Sequence, residues 1–428
     1  MAFPRRVAIV ASNRIPFAKS NTVYFGVSNQ KMLAAAITGL VEKTNLSGQP
    51  VGEVVAGAVM KHSRDFNLVR ETVLDTPLSA STPCTDMQQA CGTGLQALFS
   101  VANKIALGQL ESGIAAGVDT TSDAPIALGE KFRMLLLNLN RSKTTGERLK
   151  VLSQFRPSFL VPSFPRNGEP RTGLSMGDHT ELTAKRWGIK REDQDALAFA
   201  SHQNLHAAYE RGFMDDLVTG FNGLEKDNLL RPQTTLEKLA SLGPAFDKDN
   251  GTLSAGNSSS LTDGASAVLL ASEEWAKERG LPVLAYITDF ETTAVDFLAK
   301  DSDYKEELLL APAYGIPKML ARNNLSLQDL DFYEIHEAFA AQVLATLKAW
   351  NDESFCKERL GLSEALGEID MNKLNVNGSS LATGHPFAAT GGRITGNLAK
   401  LLNEKGSGRG LISICAAGGQ GVVALLEK

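Results

Sequence analysis

Four residues of this chain have the types and neighbours that nucleophilic and proton-transfer chemistry needs: Cys91, His336, His385 and Cys415. Cys91 stands in Asp86-Met87-Gln88-Gln89-Ala90-Cys91-Gly92-Thr93-Gly94-Leu95, ahead of a helical stripe made by Leu95, Leu98, Val101, Ala102, Ile105 and Ala106. A cysteine at that helix's N-terminus faces unpaired N–H groups and the positive end of the dipole, which stabilise the nucleophilic thiolate. Gly92 and Gly94 leave room for a substrate beside the sulfur. Read alone, Cys91 is equally a small buried hydrophobe.

His385, in Gly384-His385-Pro386, lies in a loop ahead of a helix, held extended by the following proline. An imidazole there serves as a base, as a donor to an oxyanion, or only as part of a turn. Cys415-Ala416-Ala417-Gly418-Gly419-Gln420-Gly421 ends the apolar strand Leu411–Ile414, and Gly418 and Gly419 free backbone N–H groups to face a ligand. A dinucleotide loop is not expected, because the G-x-G-x-x-G spacing and a following helix are missing. His336-Glu337-Ala338-Phe339-Ala340 sits where a strand enters a helix, and Glu337 there would complement the helix N-terminus.

These residues need a scaffold, and apolar periodicity supplies one. Strands are expected at Val7–Ala11, Val54–Met60, Ile114–Val118, Gly264–Ala271, Val283–Phe290, Leu330–Ile335 and Leu411–Ile414. Helices are expected at Gln30–Lys43, after Cys91, at Arg191–Arg211, Leu308–Leu320, Ala338–Trp350 and near Gly392–Asn403. The alternation describes a layered α/β protein. The second half repeats the recipe of the first, with an extended run, a turn rich in small residues, a helix and an apolar strand, which predicts two similar halves packed together. Between them, Lys131 to Arg171 carries nine Lys or Arg against two acids, a net +7, with Met134–Leu137 and Phe159–Val161 interleaved. This segment reads as a basic, partly apolar insertion.

At 428 residues, 43% hydrophobic and 21% charged, the chain can bury large cores. Its net charge of −5 argues against nucleic acid as a partner. The four cysteines are too scattered for a disulfide framework and suit a reducing compartment. His202 and His206 are four apart but lack an acidic or sulfur partner, so a solvated helix face is expected rather than a metal site. Met1 to Arg6 runs straight into an apolar strand and no apolar stretch approaches the roughly 20 residues of a membrane span, so neither a leader nor an anchor is expected and the location is taken as cytoplasmic.

Together the motifs resemble the thiolase family over essentially the whole chain. The nucleophile motif, the His336 box, the Gly-His-Pro box and the C-terminal cysteine loop occur in the family's order, as do Ala255-Gly256-Asn257-Ser258-Ser259 with Asp263-Gly264-Ala265, and Leu174-Ser175-Met176-Gly177. The resemblance implies a duplicated α/β fold with two five-stranded mixed sheets and layered helices (αβαβα). It assigns 1–120 and 250–281 to an N-terminal half, 121–249 to an inserted loop domain and 282–428 to a C-terminal half. It makes Cys91 the acyl-accepting nucleophile, His385 its activator and Cys415 the second acid/base, with no metal or redox cofactor and coenzyme A as a substrate. Arg231 and Ser259 then match positions contacting coenzyme A, Met176 matches the loop lining the acyl pocket, and Phe339, Gly418 and Gly419 fall among the substrate contacts.

His336 stands where many members carry an asparagine that positions a water beside the thioester oxygen. With Gly-His-Pro-Phe-Ala-Ala-Thr-Gly and the Cys-Ala-Ala-Gly-Gly-Gln-Gly ending, it is similar to the β-subunits of trifunctional β-oxidation complexes. Thr93 replaces the family's usual serine, and Lys238 stands where some members have a nucleotide-contacting serine. The expected function is a degradative 3-ketoacyl-CoA thiolase. The alternatives are an acetoacetyl-CoA thiolase working synthetically and a CoA- or lipid-binding protein without turnover. A homodimer or homotetramer, a hydratase/dehydrogenase partner subunit and peripheral membrane contact through residues 131–171 are the expected associations.

Overall fold

A computed structural model describes residues 4–298 and 307–428; Met1 to Phe3, part of the stretch from which no leader was expected, lies outside them. Its strands are β1 (Val7–Arg14), β2 (Ala18–Lys19), β3 (Val54–Ala56), β4 (Cys84–Asp86), β5 (Ser112–Asp119), β6 (Thr262–Ser272), β7 (Ala285–Ala294), β8 (Phe332–Ile335), β9 (Arg409–Ala416) and β10 (Gln420–Glu427). They hydrogen-bond in the order β4-β3-β5-β6-β1-β7-β10-β9-β8, with β2 on β6. The pairs β3–β4, β3–β5 and β8–β9 are parallel, and the others are antiparallel.

Five strands of the path, β4, β3, β5, β6 and β1, belong to the first half, as expected, with the two-residue β2 beside β6, but the two sheets join edge to edge where Val7, Ala8 and Ile9 pair with Ile287, Tyr286 and Ala285. Among the described residues the second half has four full strands rather than five. Where a fifth would run, Leu374 makes a single bridge to Tyr333 before the chain turns at Asn375. The Asn375 side chain then takes over the pairing, its Oδ1 accepting from Ile335 N and its Nδ2 donating to Ile335 O, both at 2.9 Å. β3 ends at Ala56, short of Met60, because the amides of Val59 and Met60 turn inward to the Asp119 carboxylate. β10 adds a strand after the glycine loop that the periodicity did not mark, since Val422 to Leu426 are all buried and show no alternation.

Alternation along the other strands builds the layers. Val7 and Ile9 face a central layer, while Ala8 and Val10 face the helices Asn29–Lys43 and Leu68–Leu74. In the second half Val422, Ala424 and Leu426 face the centre, and Val423 and Leu425 face the helices Ala311–Arg322 and Ala340–Asn351. The helices Thr93–Ala106 and Thr390–Lys405 fill the centre between the two sheets. Leu95, Leu98, Val101 and Ile105 are buried there, each burial contributing about 1.5–3 kcal/mol. The stretch between β5 and β6 is tied to β1 by a bidentate pair, Arg14 Nη1 and Nη2 to Asp227 at 2.6 and 2.7 Å, with Tyr209 also bonded to Asp227.

The central helices touch backbone to backbone at their first turns. A Cβ on Gly391 would lie 2.3 Å from Leu95 N, and one on Gly94 would lie 2.4 Å from Ala388 O. Both helix starts carry site loops, so this contact sets the distance between Cys91 and His385. Gly391→Ala is expected to lower unfolding stability by about 1–3 kcal/mol in urea denaturation. Gly146→Ala, with nothing within 4 Å in the helix Thr145–Leu152, is expected to be neutral or stabilising by up to about 1 kcal/mol. Equal midpoints for Gly391→Ala and the parent chain would contradict the close approach.

Candidate active site

The turn that presents Cys91 is closed by Thr93, whose Oγ1 accepts from Gln89 N at 2.8 Å and donates to Ala90 O at 2.7 Å. Ala90 takes a positive φ of 46°, and Gly92 caps the Thr93–Ala106 helix. Cys91 thus sits just outside the first turn, as its position in the sequence requires. The resting charge differs from the expectation. Cys91 is half-buried at the junction of two cavities, and burial pushes its thiol up to about 12. The amides of Ala417 and of Cys91 itself act the other way, and the buried Asp119 carboxyl adds to the upward push. Desolvation therefore outweighs the helix terminus, and Cys91 rests as a thiol.

His385 is fixed by three neighbours. Thr262 Oγ1 accepts its amide at 3.1 Å, Leu261 bridges it in parallel, and Thr390 Oγ1 lies 2.6 Å from Nδ1. The preceding Gly384 has φ 98°, and a Cβ there would strike Leu229 at 2.5 Å and Thr262 at 2.6 Å. Burial, with a smaller contribution from the charge of Arg393, pushes His385 down to about 3, so its imidazole is neutral. His336 is fully buried beside it, with ring centroids 4.1 Å apart. Its Nδ1 is 2.8 Å from Ser380 Oγ. Burial, His385 and Arg393 together hold it well below the usual histidine range. The Nε2 atoms of both rings have no partner among the described residues. Cys415 ends β9, and burial raises its thiol well above the ordinary value. All four groups are uncharged at neutral pH.

Hydrogen bonds hold the motifs side by side. Ser259 N donates to Ala338 O at 3.0 Å, and Ala340 N donates to Asn257 O at 2.9 Å. Glu337 accepts from Ser201, Asn375 and Leu381 N, so it caps the short helix Ser380–Thr383 rather than the helix that follows it in sequence.

Cys91, Cys415, His385, Met176, Phe339 and Ser259 line one cavity of about 220 Å³. A second cavity of about 500 Å³ shares Ser258 and Ser260 with it and holds Arg231, Lys238 and His202. His202 is buried, not on a solvated face; its Nδ1 accepts from Arg231 N at 3.3 Å, and burial pushes it down to about 4. A third cavity, about 720 Å³ and mostly apolar, also opens at Cys91 and is walled by Met60, Ala124, Phe164, Pro165 and Phe387.

Gly418 lines the third cavity beside Cys91 and gives its N–H to Glu169 at 2.6 Å, while Gly419 packs against Phe297 and the Val295 backbone. Their φ values of 81° and 70° turn β9 into β10, and that hairpin leaves Ala417 as the residue whose amide faces the Cys91 sulfur. Sequence reasoning missed Ala417, because alanine announces no special backbone. It also missed Phe246 and Phe387, which line the cavity from an irregular loop and a single turn.

Comparison with known proteins agrees with this geometry. Residues 7–274 match the family model "Thiolase, N-terminal domain" and residues 281–428 match "Thiolase, C-terminal domain". The chain belongs to the thiolase family. It is 40% identical to proteins named 3-ketoacyl-CoA thiolase from Yersinia enterocolitica and Yersinia pestis, over 99% of this chain and 97% of theirs. Human mitochondrial 3-ketoacyl-CoA thiolase in complex with CoA superposes with a TM-score of 0.81 at 28% identity, covering 100% of this chain and 99% of that one. The Bacillus anthracis acetyl-CoA acetyltransferase gives 0.80 at 30% identity, covering 99% and 98%.

A Cys91 thiol near 12 beside a neutral imidazole forms no resting ion pair. The difference in absorbance at 240 nm between the parent chain and Cys91→Ser is expected to stay flat from pH 6 to 9, because a raised thiol pKa keeps the proton on below that value. A thiolate plateau below pH 8 would contradict this.

Proposed function

We propose that this thiolase cleaves 3-ketoacyl-CoA with coenzyme A, releasing acetyl-CoA and a shortened acyl-CoA, as expected for fatty-acid β-oxidation. The observation that carries the proposal is a pair of unlike cavities flanking the Cys91 pocket, one joined to it through Ser258 and Ser260 and the other opening at Cys91 itself. One is lined by Arg231 and Lys238 and suits the phosphates of coenzyme A; the other is apolar and large enough for an acyl chain. That chamber favours longer chains over the alternative of an acetoacetyl-CoA thiolase, and four intact reactive groups disfavour a binding protein without turnover.

In the proposed reaction Cys91 gives its proton to His385 Nε2 as its sulfur attacks the keto carbon. The amides of Cys91 and Ala417 hold the resulting oxyanion. Collapse breaks the bond between the keto carbon and the acetyl carbon. The enolate oxygen of departing acetyl-CoA is held near His336, and Cys415 protonates the acetyl carbon. In the second half, the incoming coenzyme A thiol returns a proton to Cys415 and attacks the acyl group. The Cys91 sulfur leaves and recovers its proton from His385. Coenzyme A enters as a substrate, and Met176, Phe246 and Phe339 confine the reacting carbons.

Turnover should rise from acetoacetyl-CoA to medium-chain or longer 3-ketoacyl-CoAs; cleavage of acetoacetyl-CoA alone would refute the degradative reading. Intact-mass analysis should find one acyl group, on the Cys91 peptide, and none in Cys91→Ala. Cys415→Ser should lose both half-reactions by about 10²-fold or more, since a hydroxyl is too weak an acid for the task.

A homodimer or homotetramer, a β-oxidation partner subunit and a cytoplasmic setting belong to the same proposal. β4 lies at an open sheet edge, and all four cysteines are free. Among the described residues no helix is long and apolar enough to cross a membrane. Peripheral contact is proposed for the insertion. Its helices Glu130–Arg141 and Thr145–Leu152 bury only Leu135, while Leu136, Leu137, Leu149, Leu152 and Phe155 are exposed among the basic residues. Anionic vesicles at low salt should bind the protein, and charge reversal at Lys143, Arg148 and Lys150 should weaken that binding severalfold. Equal vesicle binding by the triple variant would contradict the surface role.

A further inference from the structure

The neutral imidazole of His336 carries a single proton, and which nitrogen holds it decides whether the ring offers a donor or a lone pair to a thioester oxygen. His336 Nδ1 lies 2.8 Å from Ser380 Oγ, and Nε2 has no partner among the described residues. Ser380 Oγ has one other partner, Arg393 Nη2 at 2.9 Å. A guanidinium only donates, so Ser380 accepts from Arg393 and keeps its own proton to give. Within reach of that hydroxyl, the acceptor is His336 Nδ1. We propose that Arg393 and Ser380 act as positioning residues that fix His336 in the tautomer protonated at Nε2, so that it donates to the thioester oxygen of the departing acetyl-CoA.

The device is built into the fold. Ser380 opens the short helix that Glu337 caps, and Arg393 lies on the central helix Thr390–Lys405. Arg393 is 2% exposed, and its second hydroxyl partner is Ser379 at 3.2 Å. Burial pushes Arg393 down to about 10, against a smaller attraction from Glu334 on β8 and Glu337, so the guanidinium stays protonated at neutral pH. The direction of donation therefore passes from a group that cannot accept, through a hydroxyl, to the ring. A ring protonated at Nδ1 would turn a lone pair toward the substrate oxygen and repel it. Asparagine at position 336 carries its N–H donors on a fixed amide nitrogen and would need no such relay.

The inference rests on the proposed placement of His336 at the thioester oxygen, and two readouts separate the two ideas. The first is the histidine nitrogen spectrum of ¹⁵N-labelled protein without substrate, assigned by comparison with His336→Asn. It should show His336 protonated at Nε2, and in Ser380→Ala a mixture of tautomers. The second is a double-mutant cycle. Ser380→Ala should lower kcat about tenfold with KM little changed, yet change kcat less than twofold when added to His336→Asn, where no tautomer remains to be set. Protonation of His336 at Nδ1 in the unmodified enzyme would overturn the proposal, whether or not Ser380→Ala folds. An equal loss from Ser380→Ala in both backgrounds would also overturn it, showing a packing role instead. Absence of thiolytic turnover in the unmodified enzyme would instead overturn the reading of the site, which the substrate-free spectrum does not depend on.

Discussion

Exclusion of water from the place where four loops meet governs everything else in this molecule. With the Cys91 thiol pushed up to about 12 and His385 down to about 3, no ion pair waits in the resting site. Ionising Cys91 at neutral pH without compensation is opposed by its desolvation. That cost is met only when deprotonation is coupled to bond formation at a carbonyl carbon whose new charge falls on waiting amides. Burial thus acts as a gate: the nucleophile is latent until an electrophile fills the cavity. The same burial raises the Cys415 thiol at its packed strand end and keeps its proton on until the reaction needs it.

Holding uncharged groups at the right separation falls to the backbone. The glycine contact between the two central helices ties the Cys91 turn to the loop of His385, with Ala388 O against Gly94. Asp119, raised to about 7 by burial, accepts from the amides of Val59, Met60 and Ala388. It joins the wall of the acyl chamber to the same loop. Main-chain contacts thus flank the loops of the site, and the stretch between β5 and β6 supplies Met176 and Phe246 to the cavity wall.

The chemistry-bearing residues were legible in the sequence because each lies at a junction of two periodicities, where an apolar strand gives way to small residues and then to a helix. Cys91, His385 and Cys415 lie along one cavity wall with His336 behind them, and Met176, Phe339 and Ser259 join them. The charge state was not legible, since helix-terminus logic for Cys91 carries no information about desolvation by distant strands. The turn at Gly418 and Gly419 was hidden for a related reason. Glycine marks a backbone requirement without saying whether a turn or a ligand imposes it, and here the β9–β10 hairpin imposes it. The missing fifth strand was hidden because an asparagine side chain does its pairing, and β10 was hidden because burial on both faces erases alternation.

The central claim is that a neutral site passes its protons internally through two half-reactions, the first complete before coenzyme A arrives. Rapid mixing of the enzyme with a medium-chain 3-ketoacyl-CoA in D₂O, without free coenzyme A, tests it directly. The account predicts a burst of one acetyl-CoA per chain, carrying a single deuterium on its methyl carbon delivered by Cys415, with the remaining acyl group retained on the protein. No acetyl-CoA until coenzyme A is added would contradict it.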